Sequence, residues 1–150
     1  YHLNAIGGEG QRWWIAAEAG QVHRSDDAGA TWRTLPSPYA GSLFGLLPLG
    51  GESLLVFGLR GHLFRSDDGG STWQQGAGTG TAMLTDAVRI DGDALAVVGL
   101  GGTVLRSADA GRNWSAAIEE DRRGLAGLVR APDGGLVAVG EGGARRLPLR

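Results

Sequence analysis

The sequence predicts an all-β fold made of β-propeller blades, each a sheet of four antiparallel strands. Three observations carry that expectation. A unit of 41 residues recurs along the chain. Each unit reads as short apolar strands between turn-forming glycines. The chain also holds 28 glycines and five tryptophans in 150 residues, which suits many tight turns with a large aromatic returning at intervals.

The period is fixed by three near copies of one nine-residue segment, at 24–32, 65–73 and 106–114, whose serines stand at 25, 66 and 107. It extends beyond them. Gly20, Gly61, Gly102 and Gly143 share one phase; Gly58, Gly99 and Gly140 share a second, with Ala17 in the first copy; Ile6, Leu47, Val88 and Val129 mark a third, apolar one.

The third unit shows the expected strand order. An apolar stretch at 84–90 meets the turn signal Asp91-Gly92-Asp93, and a buried-strand run comes next at 94–98. Leu100-Gly101-Gly102 turns the chain, residues 103–106 return it, the repeated segment turns it again, and Trp114 opens a fourth strand. Four strands in about 40 residues make one propeller blade. No helix is needed, and essentially none is predicted.

The blades fall at approximately 2–37, 42–78, 83–120 and 124–150, read as a single propeller domain or a propeller fragment. The last copy has Leu147-Pro148 where the third has Arg106-Ser107, so it is expected to lack both the repeated turn and the outer strand. That leaves about three and two-thirds blades, against the roughly four to eight of a closed ring. The expectation is a homo-oligomer or a part of a longer propeller, with the missing strand upstream of Tyr1.

The repeated segment has its own mechanism. Its aspartate (Asp27, Asp68, Asp109) accepts hydrogen bonds from backbone N–H groups of the turn. Its glycine (Gly29, Gly70, Gly111) permits a positive φ, and its serine (Ser25, Ser66, Ser107) ties the entering strand to the turn. Its tryptophan (Trp32, Trp73, Trp114) is expected to bury a ring between neighbouring sheets. The third copy carries Asn113 in place of threonine. Aspartates beside serines suggest calcium or acid–base work at first sight. A turn that closes its own hydrogen bonds once per blade accounts for them without a ligand, so no metal, cofactor or catalytic residue is assigned.

Composition narrows the function classes. The formal net charge of −2 offers no overall basic field for nucleic acid or an anionic membrane. All 14 basic residues are arginine, which reads first as a codon bias. With no cysteine there are no disulfides, thiolate metal sites or cysteine nucleophiles. No apolar run reaches the roughly 18 residues of a membrane-crossing helix. No signal peptide opens the chain, and Tyr1 reads as a processing boundary.

The pattern S-x-D-x-G-x-T-W resembles the Asp-box, or BNR, repeat of sialidases and other propellers. The 41-residue spacing, with the phrase Val56-Phe57-Gly58-Leu59-Arg60-Gly61 and its copy Val97-Val98-Gly99-Leu100-Gly101-Gly102, is similar to one branch of it. That branch is the photosystem II assembly/stability factor family and its relatives in non-photosynthetic bacteria. The resemblance implies a seven-bladed ring acting as a non-catalytic assembly or scaffold protein that binds a protein partner, often periplasmic or envelope-associated. It does not imply the photosynthetic role, and the family's basic binding patch has no matching motif here.

The alternative is a glycan-binding or sialidase/glycoside-hydrolase-related propeller. A sialidase needs an arginine triad, a tyrosine nucleophile and an acidic partner converging at the channel. Only Tyr1 and Tyr39 exist, and Tyr39 falls in an expected loop between blades. Arg24, Arg65 and Arg106 recur once per blade beside the turn and read as solvated or locally paired groups on an outer strand. His2, His23 and His62 share no phase, and the charged run 119–123 reads as a solvated connection between blades. Gly99-Leu100-Gly101-Gly102 is no nucleotide loop, since no helix comes after it. The expected partner face gathers the connections 33–42, 74–83 and 115–124 with the turns 18–20, 59–61, 100–102 and 141–143. Arg60, Arg122 and Arg123 are its candidate polar contacts.

Overall fold

The computed structural model describes residues 1–148. Contacts group them into two compact units. The first holds 1–59 and 63–75; the second holds 60–62 and everything from residue 76 onward.

The first unit carries two four-stranded sheets. One is β1 (Leu3–Glu9), β2 (Arg12–Ala17), β3 (Val22–Ser25) and β4 (Arg33–Thr34). The other is β5 (Leu43–Gly50), β6 (Ser53–Gly58), β7 (Leu63–Ser66) and β8 (Gln74–Gln75). In the second unit, β9 (Leu84–Asp91), β10 (Ala94–Gly99), β11 (Thr103–Ser107) and β12 (Ser115–Ile118) form a third sheet. The fourth sheet has β13 (Leu125–Arg130), β14 (Leu136–Gly140) and β15 (Gly143–Leu147). Neighbours in sequence are neighbours in every sheet, and all pairs are antiparallel. Among the described residues the fourth sheet has three strands and no outer one.

Each unit has its own core between its two sheets. In the first, Trp14, Ala16 and Val22 meet Leu43, Leu54, Val56 and Phe64. In the second, Ala96, Val98 and Val104 meet Leu125, Leu128, Leu136, Ala138 and Leu147. The middle strands β6 and β10 are apolar and buried at every position after the first.

The repeat's glycine columns have two physical causes. Gly58, Gly99 and Gly140 end their strands where the backbone of the first strand of the same sheet comes closest. A Cβ there would run into the carbonyl of Ser42, Met83 or Gly124. Gly20, Gly61 and Gly102 instead sit at φ near +70°, closing a short turn.

Two expectations about these turns need correction. Residues Glu18–Gly20, Leu59–Gly61 and Leu100–Gly102 each form a single 3₁₀ turn, so the chain is not free of helical structure. Gly143 keeps the sequence phase but not the structural one. In the fourth sheet Gly143 already pairs with Gly140, and only Glu141 and Gly142 turn the chain. One residue fewer in the turn flips the face on which each side chain of β15 lies. Arg145 thus pairs with Ala138, the position that Phe64 and Leu105 hold opposite Val56 and Val97.

Candidate functional site

The three repeated turns are nearly superimposable in their bonding. Ser25, Ser66 and Ser107 each donate from Oγ to the aspartate Oδ1 at 2.8 Å, and each accepts the glycine N–H at 2.8 Å. The same Oδ1 accepts the backbone N–H of Thr31 and Thr72 at 2.8 Å and of Asn113 at 2.9 Å. The second oxygen takes the threonine hydroxyl at 2.5 Å in two copies and the Asn113 amide at 2.7 Å in the third. Asparagine therefore replaces threonine with no bond lost. Donors to the charged form pull all three carboxyls down to about 2, the Thr31, Thr72 and Asn113 side chains first, then their backbone N–H groups and the serines. Gly29, Gly70 and Gly111 hold φ of 88°, 97° and 85°.

The tryptophans of these turns are less buried than expected. Trp32 is 37% exposed, while Trp73 and Trp114 are half-buried. Trp32 and Trp114 fold back to give their indole N–H to Gly29 and Gly111 of the same turn. Trp73 reaches the Pro36 carbonyl, in the connection between β4 and β5, at 3.0 Å. The buried indole of the first unit is Trp14, which donates to the Gly69 carbonyl at 3.0 Å.

Two of the arginines beside the turns, Arg24 and Arg65, are locally paired, one of the two expected states, but the outer-strand placement needs correction. They lie on the third strand of each sheet, and Arg24 and Arg65 are buried. Arg24 sits between Asp26 at 2.8 Å and Glu52 at 2.9 Å, with its guanidinium 5.8 Å from the Trp14 ring centre. Burial opposes its charge, but the two carboxylates outweigh that and raise its pKa. Arg65 pairs with Asp67 at 2.6 Å, and Arg106 donates to the Pro148 carbonyl. Tyr39, half-buried in the expected loop, gives its hydroxyl to Ser42 O and tilts against Phe64. Tyr39, Arg24 and Arg65 are thus engaged in contacts within the first unit.

The loop residues of the second unit form a knit surface. The connection between β12 and β13 is tied at Glu119 N to Gly102 O, 2.8 Å, and at Gly124 N to the Glu141 carboxylate, 2.7 Å. Within it Arg122 adopts φ 52°, Arg123 lies 4.0 Å from Asp121, and its side chain crosses Gly142. Asp121 is held below the usual carboxylate range by Arg145 first and by the Arg123 N–H second. Arg60, grouped with the second unit, is exposed at φ 56° on the turn Leu59–Gly61, whose Gly61 carbonyl accepts the Thr79 hydroxyl at 2.7 Å. Arg122 and Arg123 are adjacent in sequence on this connection; among the described residues no hydrogen bond or ion pair joins Arg60 to them. Nor does any group of three His, Asp or Glu among those residues suit a metal ion.

Sequence reasoning passed over a groove of about 650 Å³ beside β12, lined among others by Val104, Ile118, Glu120, Asp121, Arg145 and Pro148. A signal for it was present. Position 145 is arginine where the same phase holds Val22, Leu63 and Val104.

Successive four-stranded antiparallel sheets in chain order, with a repeated turn before each outer strand, define the class: the fold is a β-propeller. No family model matches the chain, and no curated protein matches it. Among solved structures the chain is similar to YCF48 bound to D1 peptide, at 22% identity over 95% of this chain and 47% of that one, TM-score 0.71. It is similar to the computationally designed Ika4 protein at 11% identity over 99% of this chain and 92% of that one, TM-score 0.76. It is also similar to the GH74 xyloglucanase from Xanthomonas campestris at 18% identity over 91% of this chain and 26% of that one, TM-score 0.71. The chain spans about half the length of the YCF48 structure and about a quarter of the xyloglucanase. At these identities the likeness is one of fold.

Proposed function

We propose that this chain is a non-enzymatic propeller scaffold, of the assembly-factor kind, that binds a protein partner through the loops of its second unit. The three repeated turns are structural in this reading, as Asp-box turns that need no ligand, and an envelope-associated setting belongs to the same proposal. The observation that carries it is the pair Arg60 and Arg122. Both are exposed, both hold a left-handed backbone, and neither guanidinium has a hydrogen-bonding or ionic partner among the described residues. Left-handed backbone costs a non-glycine residue about 1–2 kcal/mol. The equivalent turn position is left-handed in every copy, as Ala19 one blade earlier and Gly101 one blade later, and only the second copy places an exposed cation there. Strain of this sort held on a rigid turn is a feature of binding surfaces. With Arg123 alongside, the chemistry suits carboxylates on an acidic peptide segment. The solved structure of YCF48 with a bound peptide supports the peptide-binding reading for a propeller of this fold.

The xyloglucanase likeness supports the second reading, a glycan-binding or glycoside-hydrolase-related propeller. Against it stand the engagement of Tyr39 with Ser42 and of Arg24 and Arg65 with carboxylates. The test is fluorescence polarisation with a labelled peptide alternating glutamate and alanine, beside its lysine counterpart. The acidic peptide should bind preferentially, more weakly at high salt, and lose most of its affinity to the Arg60→Glu/Arg122→Glu/Arg123→Glu variant. Equal binding of both peptides, or no effect of the triple reversal, would remove the reading. Saturable binding of a xyloglucan oligosaccharide in its place would favour the alternative.

A further inference from the structure

We propose that Leu100 is the apolar anchor of the partner surface, so that the acidic segment bound there carries a large aliphatic side chain on the same face as its carboxylates. The inference rests on the acidic-peptide reading above and adds the side chain that selects among acidic segments.

The backbone holds Leu100 in place. It opens the turn Leu100–Gly102, where its N–H bonds the Met83 carbonyl at 2.9 Å and its own carbonyl takes the Thr103 N–H. Both backbone groups are engaged, yet the residue is 45% exposed. A single exposed leucine is ordinary on a protein surface. This one is set apart by its place in the repeat and by its neighbours.

In the other copies the same position is Glu18, Leu59 and Glu141. The two glutamates tie down the chain just before the first strand of their own sheet. Glu18 accepts the His2 N–H at 3.0 Å, and Glu141 accepts the Gly124 N–H at 2.7 Å. Leucine gives up that bond. Leu59 is half-buried, and the Tyr39 hydroxyl lies 3.5 Å from its carbonyl. The counterpart of Tyr39 one repeat later is Gly80, which has no ring to set beside Leu100. The third copy therefore lacks both the hydrogen bond of the glutamates and the aromatic neighbour of the second. A departure from the repeat that gains nothing within the fold points to an outside contact.

The neighbours are the loop arginines. Glu119 N bonds the Gly102 carbonyl at 2.8 Å, and a Cβ on Gly102 would stand 3.0 Å from the Arg122 Cα. At the other end of the turn, a Cβ on Gly124 would stand 3.2 Å from Leu100 Cδ2. The turn thus lies along the segment 119–124, with Gly102 against Arg122 and Leu100 against the glycine that follows Arg123. The nearby carboxylates of Asp121 and Glu141 are already engaged, by Arg145 and by the Gly124 N–H.

This arrangement sets the partner's pattern. In an extended peptide, side chains two residues apart share a face and lie about 7 Å apart. A carboxylate on Arg122 or Arg123 places the next side chain on that face within reach of Leu100. An aliphatic group there buries apolar surface on both partners and excludes water from the ion pair beside it. The segment is therefore an acidic one with leucine, isoleucine or methionine two residues from a glutamate or aspartate.

The experiment uses the labelled glutamate–alanine peptide with one central glutamate changed to leucine, and a charge-matched form with that glutamate changed to alanine. Fluorescence polarisation should show the leucine form binding roughly fivefold or more tightly. In Leu100→Ser the two forms should come within about twofold of each other, whereas Leu100→Met should keep the preference. Both forms are compared on the same variant, so a general loss of fold affects them equally. Failure of both forms to bind the parent protein would remove the acidic-peptide reading and this inference with it. Equal binding of the two forms by the parent, a leucine preference that survives Leu100→Ser, or its loss in Leu100→Met would overturn the anchor alone.

Discussion

Replacing Ser66 by alanine is expected to destabilise the protein by about 1–3 kcal/mol, because it leaves one buried donor without an acceptor. Ser66 is 1% exposed; its Oγ accepts the N–H of buried Gly70 at 2.8 Å and donates to Asp68 at 2.8 Å. Alanine keeps the packing but removes both bonds and the longer one, 3.4 Å, from the Asp68 N–H. For a chain of 150 residues that corresponds to a melting temperature lower by about 2–12 °C. The three copies should not respond alike. Gly111 is buried like Gly70, whereas Gly29 is only half-buried, so water can rescue its N–H. The expected order is Ser66 and Ser107 large, Ser25 smaller, read by thermal melts and urea titrations with and without calcium. A Ser25→Ala effect as large as the others would refute the hydrogen-bond accounting. A melting temperature raised by calcium in the parent and not in Ser66→Ala would refute the structural reading of the turns.

Further consequences can be checked by similar means. Asp27, Asp68 and Asp109 titrate near about 2 in the fold against 3.8 ordinarily, so their contribution is fully present above 3.8 and fades as pH falls through that value toward 2. Urea titrations across that window should show the loss, and Asp68→Asn should flatten part of it; an unchanged slope would contradict the assignment. Trp14→Phe should cost about 0.5–1.5 kcal/mol, since it removes the 3.0 Å bond to the Gly69 carbonyl and leaves that group only the longer, 3.4 Å bond from Arg24 Nη1. Arg60→Gly should leave thermal stability within about 1 kcal/mol of the parent, because it relieves a left-handed arginine, while weakening capture of the acidic peptide. Fluorogenic sialosides and xyloglucan should give background hydrolysis only, unchanged in Tyr39→Phe.

The blades were legible because their causes are local and repeated. A turn that closes its bonds through Ser66, Asp68 and Gly70 can be read from residue types alone, and so can the apolar run that makes 94–98 a buried strand. Harder to read were features set by what lies across from a residue. Nothing in the sequence around Arg24 announces Glu52, which lies 28 positions away and joins Asp26 in pairing the buried guanidinium. Trp73 bonds to Pro36 while Trp32 and Trp114 fold back on their own turns, a difference that the repeated residues around them do not announce. Three-residue 3₁₀ turns were invisible to strand periodicity, being as short as any loop. The β15 flip was the most deceptive: Gly143 kept its 41-residue phase while the turn before it lost one residue in pairing. The candidate loop arginines were legible as exposed charges on turns, but the left-handed backbone of Arg60 and Arg122 was not.

The most direct test of the account is a backbone-amide NMR titration of the protein with the acidic glutamate–alanine peptide. The account requires progressive, saturable shifts at Arg60, Arg122 and Arg123 and the turns around them, abolished by the triple charge reversal and leaving the three serine–aspartate turns unmoved. Shifts centred on Asp27, Asp68 and Asp109, or none at the three arginines at saturating peptide, would contradict it.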